Sequence, residues 1–95
     1  MYLSTQQVTA TTAVQTKTAF ASVPKATGVM LQAETANIRY TMDNTTAPVA
    51  SGVGMLLVPV DGPQYFLIED FNRIQFIRDT GTAKLNAHFV AGRDI

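Results

Sequence analysis

The stretch Asn37-Ile38-Arg39-Tyr40-Thr41-Met42-Asp43-Asn44-Thr45-Thr46-Ala47-Pro48-Val49-Ala50-Ser51-Gly52-Val53-Gly54-Met55-Leu56-Leu57 decides the fold. Ile38, Tyr40 and Met42 alternate with Arg39 and Thr41, the two-residue period of a half-buried strand. Asp43-Asn44 opens a turn, because short polar side chains satisfy nearby backbone donors. A Thr/Ala/Pro loop follows, then the small-residue turn Ser51–Gly54, then an apolar run, Met55–Val58, that reads as a core strand. An echo lies at Arg73–Phe89: a strand over Arg73–Arg78, the hairpin-type turn Asp79-Thr80-Gly81-Thr82, and a strand over Lys84–Val90. In that last strand Leu85, Ala87 and Phe89 face in, while Asn86, His88 and Val90 face out. Ile74 and Phe76 share one face, and the adjacent Phe76-Ile77 signals a bulge or burial on both sides.

The same grammar extends to the rest of the chain. Gly28–Glu34 is a strand with Val29, Leu31 and Ala33 on one side. Val60-Asp61-Gly62-Pro63 is a turn, Tyr65–Ile68 a strand, and Glu69–Asn72 a short turn or one helical turn. Upstream, Val14, Thr16, Thr18 and Phe20 alternate with Gln15, Lys17 and Ala19, which predicts another strand. Residues 1–12 form an edge strand or an arm laid on a neighbouring subunit, and residues 91–95 a loose tail. The expectation is one all-β domain over 1–95: a small β-sandwich or jelly-roll of seven to eight short antiparallel strands. Strand order is not readable from spacing.

Composition narrows the partners. The 95 residues carry seven basic and seven acidic side chains, which argues against nucleic acid and anionic membrane. The chain lacks cysteine, so thiol chemistry and disulfide scaffolds are out. A domain this short buries only roughly 60–65% of its unfolded surface, so self-association is one of its few routes to more burial. Thirteen Thr and twelve Ala make a largely uncharged surface suited to close packing on protein. Met1–Gln7 has neither the basic nor the apolar segment of a secretion signal, so synthesis in a cytoplasm is expected.

No catalytic constellation stands out. His88, the only histidine, has no second His or Cys to join it in a metal site. Ser4, Ser22 and Ser51 sit in no nucleophile elbow. Glu69-Asp70 reads as a solvated turn rather than an acid/base pair, and Gly52-Val53-Gly54 as a turn rather than a phosphate cradle, because a strand follows it. Asn44-Thr45-Thr46 matches a glycosylation acceptor, which is empty without secretion. Tyr65, Phe66 and Phe71 read as core rather than a sugar-stacking platform. The candidate functional residues are therefore protein-interface residues: Thr5, Gln6, Gln7 and Thr9 on the N-terminal segment, the arginines Arg39, Arg73 and Arg78 as a basic strip suited to carboxylates, and His88. No cofactor and no metal are expected.

The two motifs resemble a group of small tailed-bacteriophage virion proteins. One is Ile38-Arg39-Tyr40 through Asp43-Asn44-Thr45, Pro48 and Ser51–Leu57. The other is Ile74-Gln75-Phe76-Ile77 through Thr80-Gly81-Thr82-Ala83-Lys84-Leu85-Asn86-Ala87-His88-Phe89. Asn44 stands where those proteins commonly have Gly, and Ser51–Gly54 carries an extra small residue. The resemblance implies a non-enzymatic capsid cement or decoration protein that sits on the shell as a homotrimer, with the major capsid protein or another virion protein as partner and the virion as location. A tail, adaptor or spike-base subunit is the alternative. Ile38-Arg39-Tyr40-Thr41-Met42-Asp43 through Pro48 also looks like the Ig-like carbohydrate-binding modules appended to glycoside hydrolases.

Overall fold

A computed structural model describes residues 2–50 and 52–92. Eight strands form two antiparallel four-stranded sheets packed face to face. The strands are β1 (Tyr2–Ala10), β2 (Gln15–Thr16), β3 (Gly28–Glu34), β4 (Ile38–Thr41), β5 (Met55–Leu57), β6 (Gln64–Leu67), β7 (Gln75–Arg78) and β8 (Ala83–Val90). One sheet has the order β1-β8-β3-β6, the other β2-β7-β4-β5. A single helical turn, α1 (Ile68–Phe71), links β6 to β7.

That order follows from one rule. β1 pairs with β8, β2 with β7, β3 with β6, and β4 with β5. The chain is one long hairpin, nested around the Asp43–Gly54 loop and rolled so that β8 meets β3 and β7 meets β4. This is the winding of a jelly roll. The decisive stretch of sequence is thus the apex of the hairpin.

Alternation supplies the core. Val29, Leu31 and Ala33 of β3 and Ala83, Leu85, Ala87 and Phe89 of β8 are buried together with Ile38, Leu57 and Phe76 of the facing sheet and Ile74 just before β7. At one end of the sandwich Phe20, Phe71, Phe76 and Phe89 form a ring cluster with centroids 5.4 to 6.2 Å apart. Phe71–Phe89 and Phe20–Phe89 meet edge to face, the arrangement that ring quadrupoles favour.

Four expectations need correction. The strand over 14–20 shrinks to two residues, because the Thr16 hydroxyl bonds the Thr18 hydroxyl at 2.8 Å and caps the short 3-10 turn Lys17–Ala19. Local side-chain bonding competes with a ladder. Met55–Val58 is not a core strand: β5 is a sheet edge, with Met55 66% and Leu56 41% exposed and only Leu57 buried. Strand β7 starts at Gln75, so Arg73 belongs to the preceding turn. Val90 is buried, although alternation puts it on the outer face. Its register partners are Tyr2 and Gly28, and the Tyr65 ring occupies the space above Gly28. Phe76 and Ile77 are both buried, the two-sided burial that their adjacency signalled. The N-terminal segment is an edge strand along Tyr2–Ala10. Of the tail, Gly92 accepts a bond from the Thr27 hydroxyl, and 93–95 lie outside the described residues, as does Ser51.

Candidate functional site

The outward face of the β1-β8-β3-β6 sheet gathers half of the residues singled out from sequence. Register builds it in rows. Thr5 of β1 stands beside His88 of β8, which stands beside Met30 of β3 and then Tyr65 of β6. The next row is Gln7, Asn86 and Gln32; the third is Thr9, Lys84 and Glu34. Side chains of paired residues project to the same side of a sheet, so Thr5, Gln7, Thr9 and His88 form one surface.

Amide side chains tie that surface together. Gln7 Nε2 donates to Asn86 Oδ1 at 2.7 Å, and Asn86 Nδ2 donates to Glu34 Oε1 at 2.9 Å. The Tyr2 ring lies 4.7 Å from the His88 ring, tilted by 40°, and is 64% exposed. Between the rows lies a shallow concavity of about 480 Å³, whose lining includes Thr5, Gln7, Met30, Gln32, Pro63, Asn86 and His88. Apart from the Lys84–Glu34 row the face is uncharged. It offers amide and hydroxyl groups to another surface and no acid, base or nucleophile pair.

Gln6 belongs to the opposite face. Its amide clasps the backbone of Ala21, accepting from Ala21 N at 2.8 Å and donating to Ala21 O at 3.0 Å. It holds the 20–23 segment against β1.

The three arginines do not form a strip. Arg39 pairs with Ile77 and Ile38 with Arg78, so alternation sends Arg39 and Arg78 to opposite faces of their sheet. Arg73 is exposed in the turn after α1. Arg39 works within the chain. Its Nε donates to Asp79 Oδ1 at 3.0 Å, and its Nη1 to the carbonyls of Gly52 at 3.0 Å and Gly54 at 3.1 Å. The arginine side chain is 14% exposed and that of Asp79 8%. This guanidinium pins the apex loop to the end of β7.

The apex has further internal order. Asp43 Oδ1 accepts from Thr45 N at 3.0 Å and Thr46 N at 2.8 Å. Bonds from the Thr46 amide, then the Thr46 hydroxyl and the Thr45 amide, hold the Asp43 carboxyl down to about 2. Asn44 has φ 63°, which Asn and Gly adopt most readily.

A second cleft, about 340 Å³, opens at the ring cluster between Lys17, Val23, Ile68 and Asn72. Among the described residues no three His, Cys, Asp or Glu side chains converge as metal ligands. No helix among them is long and apolar enough to cross a membrane. The paired face was not singled out as a whole from sequence, because Met30, Gln32 and Asn86 join it only through pairing across distant strands. Comparison with protein-family models, curated proteins and solved structures finds no match for this chain.

Proposed function

We propose that the protein is a non-enzymatic structural component of a bacteriophage virion, a cement or decoration protein that binds the assembled shell. The observation that carries the reading is the amide- and hydroxyl-rich outer face around Gln7, Asn86 and Gln32. Such a face gives up less hydration energy when covered than a charged one, offers donors and acceptors that a partner can satisfy, and carries few like charges to repel a dense array. The motif resemblance supports the same reading, and the jelly-roll winding is one used by viral capsid domains, which is support by analogy. The mechanism is mass action. A protein that binds assembled shell and not free subunits stabilises the shell by RT ln(1 + [L]/Kd), about 2.7 kcal/mol per site at a hundredfold excess over Kd.

The test is the heat resistance of shells prepared with and without the protein. A raised disruption temperature that is lost with Gln7→Lys/Asn86→Lys supports the reading. Equal resistance refutes it. Copy number separates cement from a tail or spike-base subunit, since only the former occupies many sites per virion. The carbohydrate-binding alternative rests on the exposed Tyr2 ring beside the concavity. Glycan binding abolished by Tyr2→Ala would establish it in place of the shell reading.

A further inference from the structure

Four strands form the sheet edges, and three of them are short: β2 has two residues, β5 three and β6 four. Short edges are one way in which proteins avoid pairing with other chains; charges and prolines are others. Strand β1 has none of these devices. It is nine residues long, carries no charge and no proline, and is bulged only near Ser4. No backbone hydrogen bond joins it to any described segment other than β8. At a strand rise of about 3.3 Å it presents an open edge of roughly 30 Å.

We infer that β1 is a homodimerisation edge, where a second copy of this chain adds its own β1 antiparallel across a two-fold axis near Gln7. The two four-stranded sheets then run on as one eight-stranded sheet. Two observations select a second copy as the occupant. First, the strand is complementary to itself. About Gln7, Thr5 of one copy pairs with Thr9 of the other and Gln7 meets Gln7, uncharged pairs of the kind that stabilise neighbouring strands, and no like charges meet. Second, large exposed apolar side chains lie at its opposite ends, Tyr2 at 64% and Val14, just past β1, at 43%. Antiparallel pairing about Gln7 brings Tyr2 of each copy to the level of Thr12 of the other, two residues short of Val14. Parallel pairing keeps them apart. A contact of this kind uses the same patch twice and closes on itself. It is an alternative to the three-fold unit that the phage resemblance implies, and it does not depend on the shell reading.

The test uses the full chain, which has no cysteine of its own. Light scattering on the size-exclusion peak is expected to give twice the chain mass, and Gln7→Lys, which sets lysine against lysine at the axis, to halve it with the circular dichroism unchanged. Under oxidation Gln7→Cys is expected to give a disulfide-linked dimer, because its Cα atoms then fall within the ~7 Å that a disulfide spans. Tyr2→Cys is expected to give none, since the two Tyr2 positions are then about 30 Å apart. A monomer, a trimer, a dimer that survives Gln7→Lys, or cross-linking as efficient at Tyr2→Cys as at Gln7→Cys each overturns the inference. A monomer that still protects shells sinks the dimer alone; a dimer that leaves shells unprotected sinks the shell reading alone.

Discussion

Replacing Arg39 by alanine removes three hydrogen bonds from one partly buried guanidinium: to Asp79, Gly52 and Gly54. A bond to a charged group contributes about 1.5–3 kcal/mol net. The three share one side chain and are not additive, and at 14% exposure some water reaches the group. Breaking a buried pair from one side costs about 3–5 kcal/mol. We therefore expect a loss of about 3 kcal/mol, a large fraction of the roughly 5–15 kcal/mol of an ordinary domain. With a denaturant slope of about 1 kcal/mol/M for a chain this small, the urea midpoint falls by about 3 M, with the slope unchanged. Asp79→Asn leaves both carbonyl bonds in place and should cost about half as much. Hydrogen exchange at Val49 and Gly52, whose amides donate to the Val53 and Val49 carbonyls, should quicken in Arg39→Ala more than in Asp79→Asn. A loss below about 1 kcal/mol in Arg39→Ala would refute the reasoning. It would mean that the Asp43 turn and the Val49–Val53 bond close the apex unaided.

Gly54→Ala should destabilise by about 3 kcal/mol, because φ is +119° and the new Cβ falls 2.8 Å from Arg39 Cγ and 2.9 Å from the Tyr40 carbonyl oxygen; thermal unfolding against Gly62→Ala, whose Cβ meets nothing within 4 Å, checks it. Thr35 has φ 80°, costly for a β-branched residue, so Thr35→Gly should raise stability by about 0.5–1 kcal/mol in urea titrations once the entropy of Gly in the unfolded chain is set against the relief. The Asp43 carboxyl titrates at about 2 against an ordinary 3.8, so its contribution is complete above pH 3.8 and is lost as pH falls through 2. The amide shifts of Thr45 and Thr46, followed by NMR, should move with a midpoint near 2 and become pH-independent in Asp43→Asn.

Much of the architecture was legible where burial is one-sided. The alternation in Val29, Leu31 and Ala33 and in Leu85, Ala87 and Phe89 assigns two central strands and their inward faces, because a half-buried strand must present an apolar side chain every second residue. The apex loop was legible from Asp43, Asn44 and Gly54 for conformational reasons that are local. What depends on distant pairing was not. Nothing in Tyr2–Ala10 announces that its partner lies some eighty positions later, so neither the strand order nor the row Gln7–Asn86–Gln32 was available. Arg39 misled for a related reason: alternation places it on an outer face, and only the returning loop turns that position into an internal one. Met55 and Leu56 misled because apolar composition normally marks the interior, whereas here it marks an edge.

The nested hairpin also sets an order of events in time. Joining β1 to β8 from a fully open chain closes a loop of more than seventy residues, while joining β4 to β5 closes only the apex. Closure entropy grows slowly with length, but contacts far apart in sequence still dominate the folding barrier. If pairing proceeds outward from the apex, each later pair has a much shorter effective span to bridge. On that route β1 is the last strand to join and the first to leave, and during synthesis β1 stays unmated until β8 has been made. Pulse-labelled hydrogen exchange during refolding should show protection at the paired residues Arg39 and Leu56 before protection at Gln7 and Asn86; the reverse order would place nucleation at the chain ends.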